Sequence, residues 1–228
     1  NFCFIYRLTM AFILDGTTGI ATVDGSVSAP SQRGQDTNSG ISYGADTIKF
    51  STGGVERISI TNSGISGTGI SAGGLTVGYQ FRLTSGLSVS NSATTLSANW
   101  ETVDGTGQGV LGSFPDPSSG IFTFPSTGIY LVRFNGYFED TGDTPLAQLR
   151  ILATTNNSSY SAIAEVNTSN SNLDTYTYCS ASVETIIDVT DVSNVKVYFD
   201  ARNTNTAVLD GSSTQNRTYV TFIRLGDT

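Results

Sequence analysis

Two acidic clusters are the first groups in this chain able to do chemistry: Glu139, Asp140 and Asp143 in one short stretch, and Asp188 with Asp191. Paired carboxylates act as acid and base in glycoside hydrolysis, and several together offer oxygen ligands to calcium. Neither cluster follows EF-hand spacing. Both lie in polar, turn-like sequence, where turn and cap acids are the commoner explanation. Glu139, Asp140 and Asp143 therefore stand as calcium candidates beside a reading as solvated turns. No other cofactor and no catalytic residue is expected, and the chain is read as a non-enzyme. Histidine is absent, which removes imidazole acid/base catalysis and most zinc sites.

Aromatic side chains in loop-like stretches are the second chemical resource. Trp100, Tyr160 and Tyr176 would stack on sugar rings if exposed, or fill a core or subunit interface if not. Trp100 falls in residues 88–107, which lack strong alternation and read as a loop near the surface. Two cysteines, Cys3 and Cys179, imply no disulfide framework. Cys179 shares a strand face with Ala181 and Val183 and reads as a buried thiol. Asn156, Asn157, Asn167 and Asn216 match the glycosylation triplet, a pattern that arises by chance in a chain this rich in Ser, Thr and Asn.

Charge narrows the partners. Eleven basic against nineteen acidic residues give a net charge of −8, so neither a nucleic-acid backbone nor an anionic membrane is expected as a partner. The composition, with 32 Thr, 29 Ser and 25 Gly among 228 residues and only two Lys, is that of strands and turns. The first residues are apolar but interrupted by Arg7 and too short to span a membrane. Residues 1–9 read either as upstream read-through ahead of Met10 or as an apolar anchor.

The elements that must position these groups change character near residue 80. Before it, apolar residues occur singly among Gly, Ser and Thr, and no stretch closes a core by itself. Such spacing fits a flexible linker or a slender fibre in which several copies pool sparse apolar residues. The regular Ile and Val positions favour the fibre, with Ile41, Ile48, Phe50, Val55, Ile58, Ile60, Ile65 and Ile70 as the shared interior. After it, alternating runs predict strands at 79–84, 108–114, 121–124, 128–138, 146–154, 160–166, 174–187, 194–201 and 217–225. Phe122, Tyr130, Val132, Phe134, Val197 and Phe199 are the expected core. This many short strands fits a two-sheet jelly-roll sandwich.

Two resemblances follow from quoted residues. The segment from Gln35 to Ile60, with Asp36-Thr37-Asn38 and Gly44-Ala45-Asp46-Thr47-Ile48-Lys49-Phe50-Ser51-Thr52-Gly53-Gly54-Val55-Glu56-Arg57, resembles a segment common in bacteriophage tail-fibre and appendage proteins. It departs from that pattern at Ser42, Ile58 and Ser59, and no self-cleaving chaperone follows it. The stretch from Phe122 through Gly128, Tyr130, Val132 and Phe134, with the closing Tyr219–Leu225 run, resembles the trimeric jelly roll of the tumour-necrosis-factor and complement-head type. In that pattern Val132 replaces an aromatic and Phe114 falls one place early.

Together these imply an all-β homotrimer. Residues 1–30 would attach it to other virion proteins, 31–80 would form a stalk, and 81–228 a jelly-roll knob that binds a host surface glycan or protein. The expected location is the virion, on the tail or the capsid. The alternatives are a capsid-mounted head fibre or decoration protein of the same architecture, and a polysaccharide depolymerase.

Overall fold

The computed structural model describes residues 14–15, 19–20, 24–68, 74–171 and 175–228. Among them every regular element is a β-strand. The chain divides into two compact units, residues 1–74 and 75–228. The division falls ahead of the expected boundary at 80/81, because the strand that begins at Gly78 belongs wholly to the second unit. No helix among the described residues is long and apolar enough to cross a membrane.

The first unit is a series of tight hairpins. β1 (Leu14–Asp15) pairs with β2 (Gly19–Ile20), and β3 (Gly25–Ser26) with β4 (Ala29–Pro30). A five-stranded antiparallel sheet follows in chain order: β5 (Gln32–Arg33), β6 (Gly40–Gly44), β7 (Thr47–Thr52), β8 (Val55–Thr61) and β9 (Gly64–Ser66). Gly53 and Gly54 turn β7 into β8 with φ of 60° and 75°. Two successive positive φ values define the hairpin turn that matches strand twist, and glycine adopts them without strain.

The second unit is a jelly-roll sandwich of two antiparallel sheets. One sheet runs β11 (Leu87–Val89), β20 (Ala207–Leu209), β15 (Gly128–Asp140), β21 (Tyr219–Gly226), β10 (Gly78–Leu83) and β13 (Trp100–Thr102). On the other edge of β15, β18 (Thr177–Val189) pairs from Gly128↔Val189 to Asp140↔Thr177. The second sheet runs β12 (Thr94–Thr95), β19 (Lys196–Asn203), β16 (Thr144–Thr154) and β17 (Ser161–Asn170), with β14 (Phe122–Thr123) also beside β19. Strict alternation along β15 sends Tyr130, Val132, Phe134 and Phe138 inward.

An aromatic cluster fills the space between the sheets. Phe122, Tyr130, Val132, Phe134, Val197 and Phe199 are fully buried. The Phe114 ring lies tilted at 4.5 Å from Phe222, and Phe134 lies 5.1 Å from Phe199. Most of these ring pairs are tilted or edge-on, as the ring quadrupole favours.

Two sequence expectations are corrected here. Residues 108–114 form no strand: Leu111 makes one bridge to Gly78, and the Phe114 ring inserts into the core. Residues 88–107 are not one long loop, since they hold most of β11 and all of β12 and β13. These strands are only two or three residues long, too short for alternation to register.

Candidate interaction surfaces

The first unit carries its apolar residues on the wrong side for a lone chain. Cα partners across antiparallel strands share a face. One row is therefore Ile41–Phe50–Ile58, and the next is Tyr43–Ile48–Ile60–Ile65. In the single chain Ile48, Phe50 and Ile65 are exposed, Ile65 by 59%, and Ile41, Ile58 and Ile60 are half-buried. Val55, at the β7–β8 hairpin, is also exposed. The opposite face carries Ser42, Lys49, Ser59 and Ser66 in one row, and Ser42, Ser51 and Ser59 are buried. Buried serine and open isoleucine invert the usual order of a core. Ile70 lies outside the described residues.

In the second unit, the outward face of the β15, β18 and β21 sheet divides into two ends. At one end Ile186, Leu131 and Ile223 form an apolar row, with Ile186 63% exposed. The second unit's own first residues run here: Gly78 pairs with Ile223, and Arg224 N donates to Val77 O at 3.0 Å. An ion pair between Arg133 and Glu184 at 3.4 Å crosses the middle. At the other end lies a cleft of about 700 Å³, lined in part by Asn135, Tyr137, Glu139, Tyr178, Asn216 and Tyr219. The Tyr137 and Tyr178 rings stack there with centroids 5.6 Å apart and 16° between planes. Desolvation, and then the Glu139 carboxylate, push the Tyr178 phenol up from its ordinary value.

The predicted aromatic site residues scatter. Trp100 is structural: its indole N–H donates to Leu96 O at 2.8 Å and its ring meets Phe122 at 5.4 Å. It lies in β13, half-buried against the core, because its polar neighbours belong to a short edge strand rather than a loop. Tyr160 packs 5.0 Å from Tyr198 just ahead of β17, with its hydroxyl buried and lacking a partner. Tyr176 is 52% exposed just ahead of β18 and within electrostatic reach of Tyr178. Sequence reasoning missed Tyr178 itself. The signal was present: if Cys179, Ala181 and Val183 face inward, alternation turns Tyr178, Ser180 and Ser182 outward.

The three acids proposed for calcium do not converge. Asp140 is buried and accepts from Thr144 Oγ1 at 2.7 Å and from Gly142 N at 3.1 Å, holding the β15–β16 turn. Glu139 alternates to the opposite face of β15, toward the cleft. Among the described residues no three acidic, cysteine or histidine side chains gather as a metal-binding group. Cys179 is half-buried beside the core, and desolvation raises its thiol pKa. Cys3 lies outside the described residues.

No family model and no curated protein matches the chain. Among solved structures it is similar to the Eiger TNF from S. frugiperda, at 14% identity and a TM-score of 0.48, over 67% of this chain and 94% of that one. It is similar to murine APRIL at 14% identity and a TM-score of 0.44, over 65% and 98%. To the PRD1 vertex protein P5 the identity is 17% and the TM-score 0.42, over 68% and 100%.

Proposed function

We propose that this chain is a homotrimeric structural protein of a bacteriophage particle, a fibre or spike whose jelly-roll head binds the host surface. The carrying observation is the inverted first unit. Ile48, Phe50 and Ile65 are exposed and Ile41, Tyr43, Ile58 and Ile60 only half-buried on one sheet face, while serines are covered on the other. Burying such a side chain from full exposure is worth roughly 1.5–3 kcal/mol, and sister copies arranged about a common axis would supply apolar surface to cover the part still open. The strands that build this face, β6 to β8, are the residues that resemble the phage appendage segment. The apolar row Ile186–Leu131–Ile223 gives the head a second surface for the same association.

On this reading the N-terminal residues attach the protein to other virion components. Its work is mechanical: to present several copies of one head, so that weak individual contacts gain from effective concentration. It is a binding protein rather than an enzyme. Sedimentation of the whole chain tests the association, with an expected mass of about 72 kDa, three times the 24.0 kDa chain. Labelled antibody on intact particles tests the virion location and separates tail from capsid mounting. A stable monomer in solution defeats the trimer. Sustained release of reducing ends from capsular polysaccharide would favour the depolymerase instead.

A further inference from the structure

We propose that the outward face of strand β19, in the second sheet of the head, is a track for an anionic surface glycopolymer. This rests on the reading of the head as the host-binding end, and it names the ligand class and the site.

Charge singles this strand out. Residues 75–228 hold seven lysines and arginines. Five of them are in ion pairs: Arg82, Arg133, Arg150, Arg217 and Arg224. Among the described residues the other two, Lys196 and Arg202, are in none, and both lie on β19, each only half-buried. Val197 and Phe199 fill the core, so alternation turns Lys196, Tyr198, Asp200 and Arg202 outward. The cross-strand partners explain why two cations are left over. Lys196 lies between Thr154 and Thr123. Arg202 lies opposite Gln148, whose amide is given to Asn167 Oδ1 at 2.9 Å. Asp200 stands between the two cations along the strand, but Arg150 takes both its oxygens, at 2.8 and 2.5 Å.

The spacing selects a polymer. Lys196 and Arg202 are six residues apart, roughly 20 Å at the rise of a strand, so no single small anion touches both. A chain of sugars or polyols with recurring carboxylates or phosphates spans them, and each cation gives it charge-assisted hydrogen bonds. Between them Tyr198, its ring held 5.0 Å from that of Tyr160, offers apolar surface to the C–H face of a ring. This face carries three cations, Arg150, Lys196 and Arg202, against two carboxylates, Asp200 and Glu165, in a chain of net charge −8. The excess negative charge elsewhere repels a polyanion and confines it to the track. The track is also clear of the proposed subunit contacts in the head. Those use the outward face of the β15, β18 and β21 sheet, whereas β19 belongs to the other layer of the sandwich and faces the opposite way.

The test uses the full chain in its native assembly. Binding at low salt is measured on immobilised polygalacturonate, polysialic acid and a glycerol-phosphate teichoic acid, with neutral dextran and oligo-dT beside them. At least one of the three anionic glycopolymers should bind, dextran should not, and binding should weaken as salt rises. Preference between the carboxylate and phosphate polymers identifies the anion. Lys196→Gln combined with Arg202→Gln should lower the affinity at least about tenfold without changing the sedimentation coefficient. Glu165→Gln should raise it, a gain that misfolding does not produce. The proposal is overturned by no binding to any of the three, by binding that survives the double substitution, or by a Glu165→Gln variant that binds no tighter. Tighter binding of oligo-dT than of every glycopolymer overturns it in favour of nucleic acid. Adsorption to a panel of bacteria separates the track from the reading it rests on. Adsorption indifferent to the double substitution removes the track and keeps the host-binding head. Track-dependent polymer binding by a protein that adsorbs to no strain removes the host-binding head and keeps the track.

Discussion

Arg82 is fully withdrawn from solvent, yet it points away from the aromatic core. Its Nε donates to Glu101 Oε1 at 2.7 Å, its Nη1 to Gln108 Oε1 at 3.0 Å, and its Nη2 to Asp104 and to Ser213 O. One planar fork thus ties β10, β13 and two loops together, as a point-charge ammonium would not. Because Glu101 and Asp104 keep some water, Arg82→Met should cost about 2–3 kcal/mol, short of a wholly buried pair. Urea unfolding of the variant against its parent gives the number. Asp191 answers to pH. Ser193 Oγ donates to it at 2.6 Å, Ser193 N at 2.8 Å and Asn194 Nδ2 at 2.7 Å. The Ser193 hydroxyl, then its amide, hold the carboxyl below its ordinary value of 3.8. A depressed folded pKa contributes stability above the unfolded value, and that contribution is lost as pH falls through the folded one. Asp191→Asn should therefore melt below its parent at neutral pH, with the gap closing as melts are taken from about pH 5 downward.

Elements of the two units obey the same pleat with opposite results. In β15 alternation and burial agree, so Phe134→Ala should destabilise the head by roughly 3–5 kcal/mol in thermal or denaturant unfolding. A near-neutral change would mean that the faces of β15 are reversed. Along β6 to β8 the strands also alternate, but the apolar face is left exposed at Ile48 and Phe50 and only half-buried at Ile41, Ile58 and Ile60. Gly128 shows what the quoted jelly-roll motif requires. At φ +142° a Cβ there would fall 2.6 Å from Gly226 O and 2.5 Å from the Arg224 guanidinium. Gly128→Ala should therefore loosen the pairing of β15 with β21, read as faster amide exchange along Leu131–Phe134.

At the scale of the whole molecule the proposed assembly is what a variant can test. Replacing Ile48 and Phe50 together by Asp places charge where sister copies are proposed to meet. The variant should sediment as a species lighter than about 72 kDa while the head, whose aromatic core is complete within one chain, keeps its near-ultraviolet circular dichroism. Loss of the head's signal together with assembly would show that the sandwich depends on its neighbours as well.

Composition and alternation determined the all-strand class, the long strands of the head and the inward residues Tyr130, Val132, Phe134 and Phe199. Each of these depends on near-neighbour periodicity and on a face buried within the same chain. The short strands β11 to β13, the insertion of Phe114 and the burial of Trp100 were not legible. Two or three residues carry no period, and their places are set by partners far along the chain. The cleft was hidden for the same reason. Asn135 and Tyr178 are neighbours of Asn216 and Tyr219 only because β15 pairs with β18 on one edge and β21 on the other. Only that lateral pairing turns residues remote in the chain into one surface.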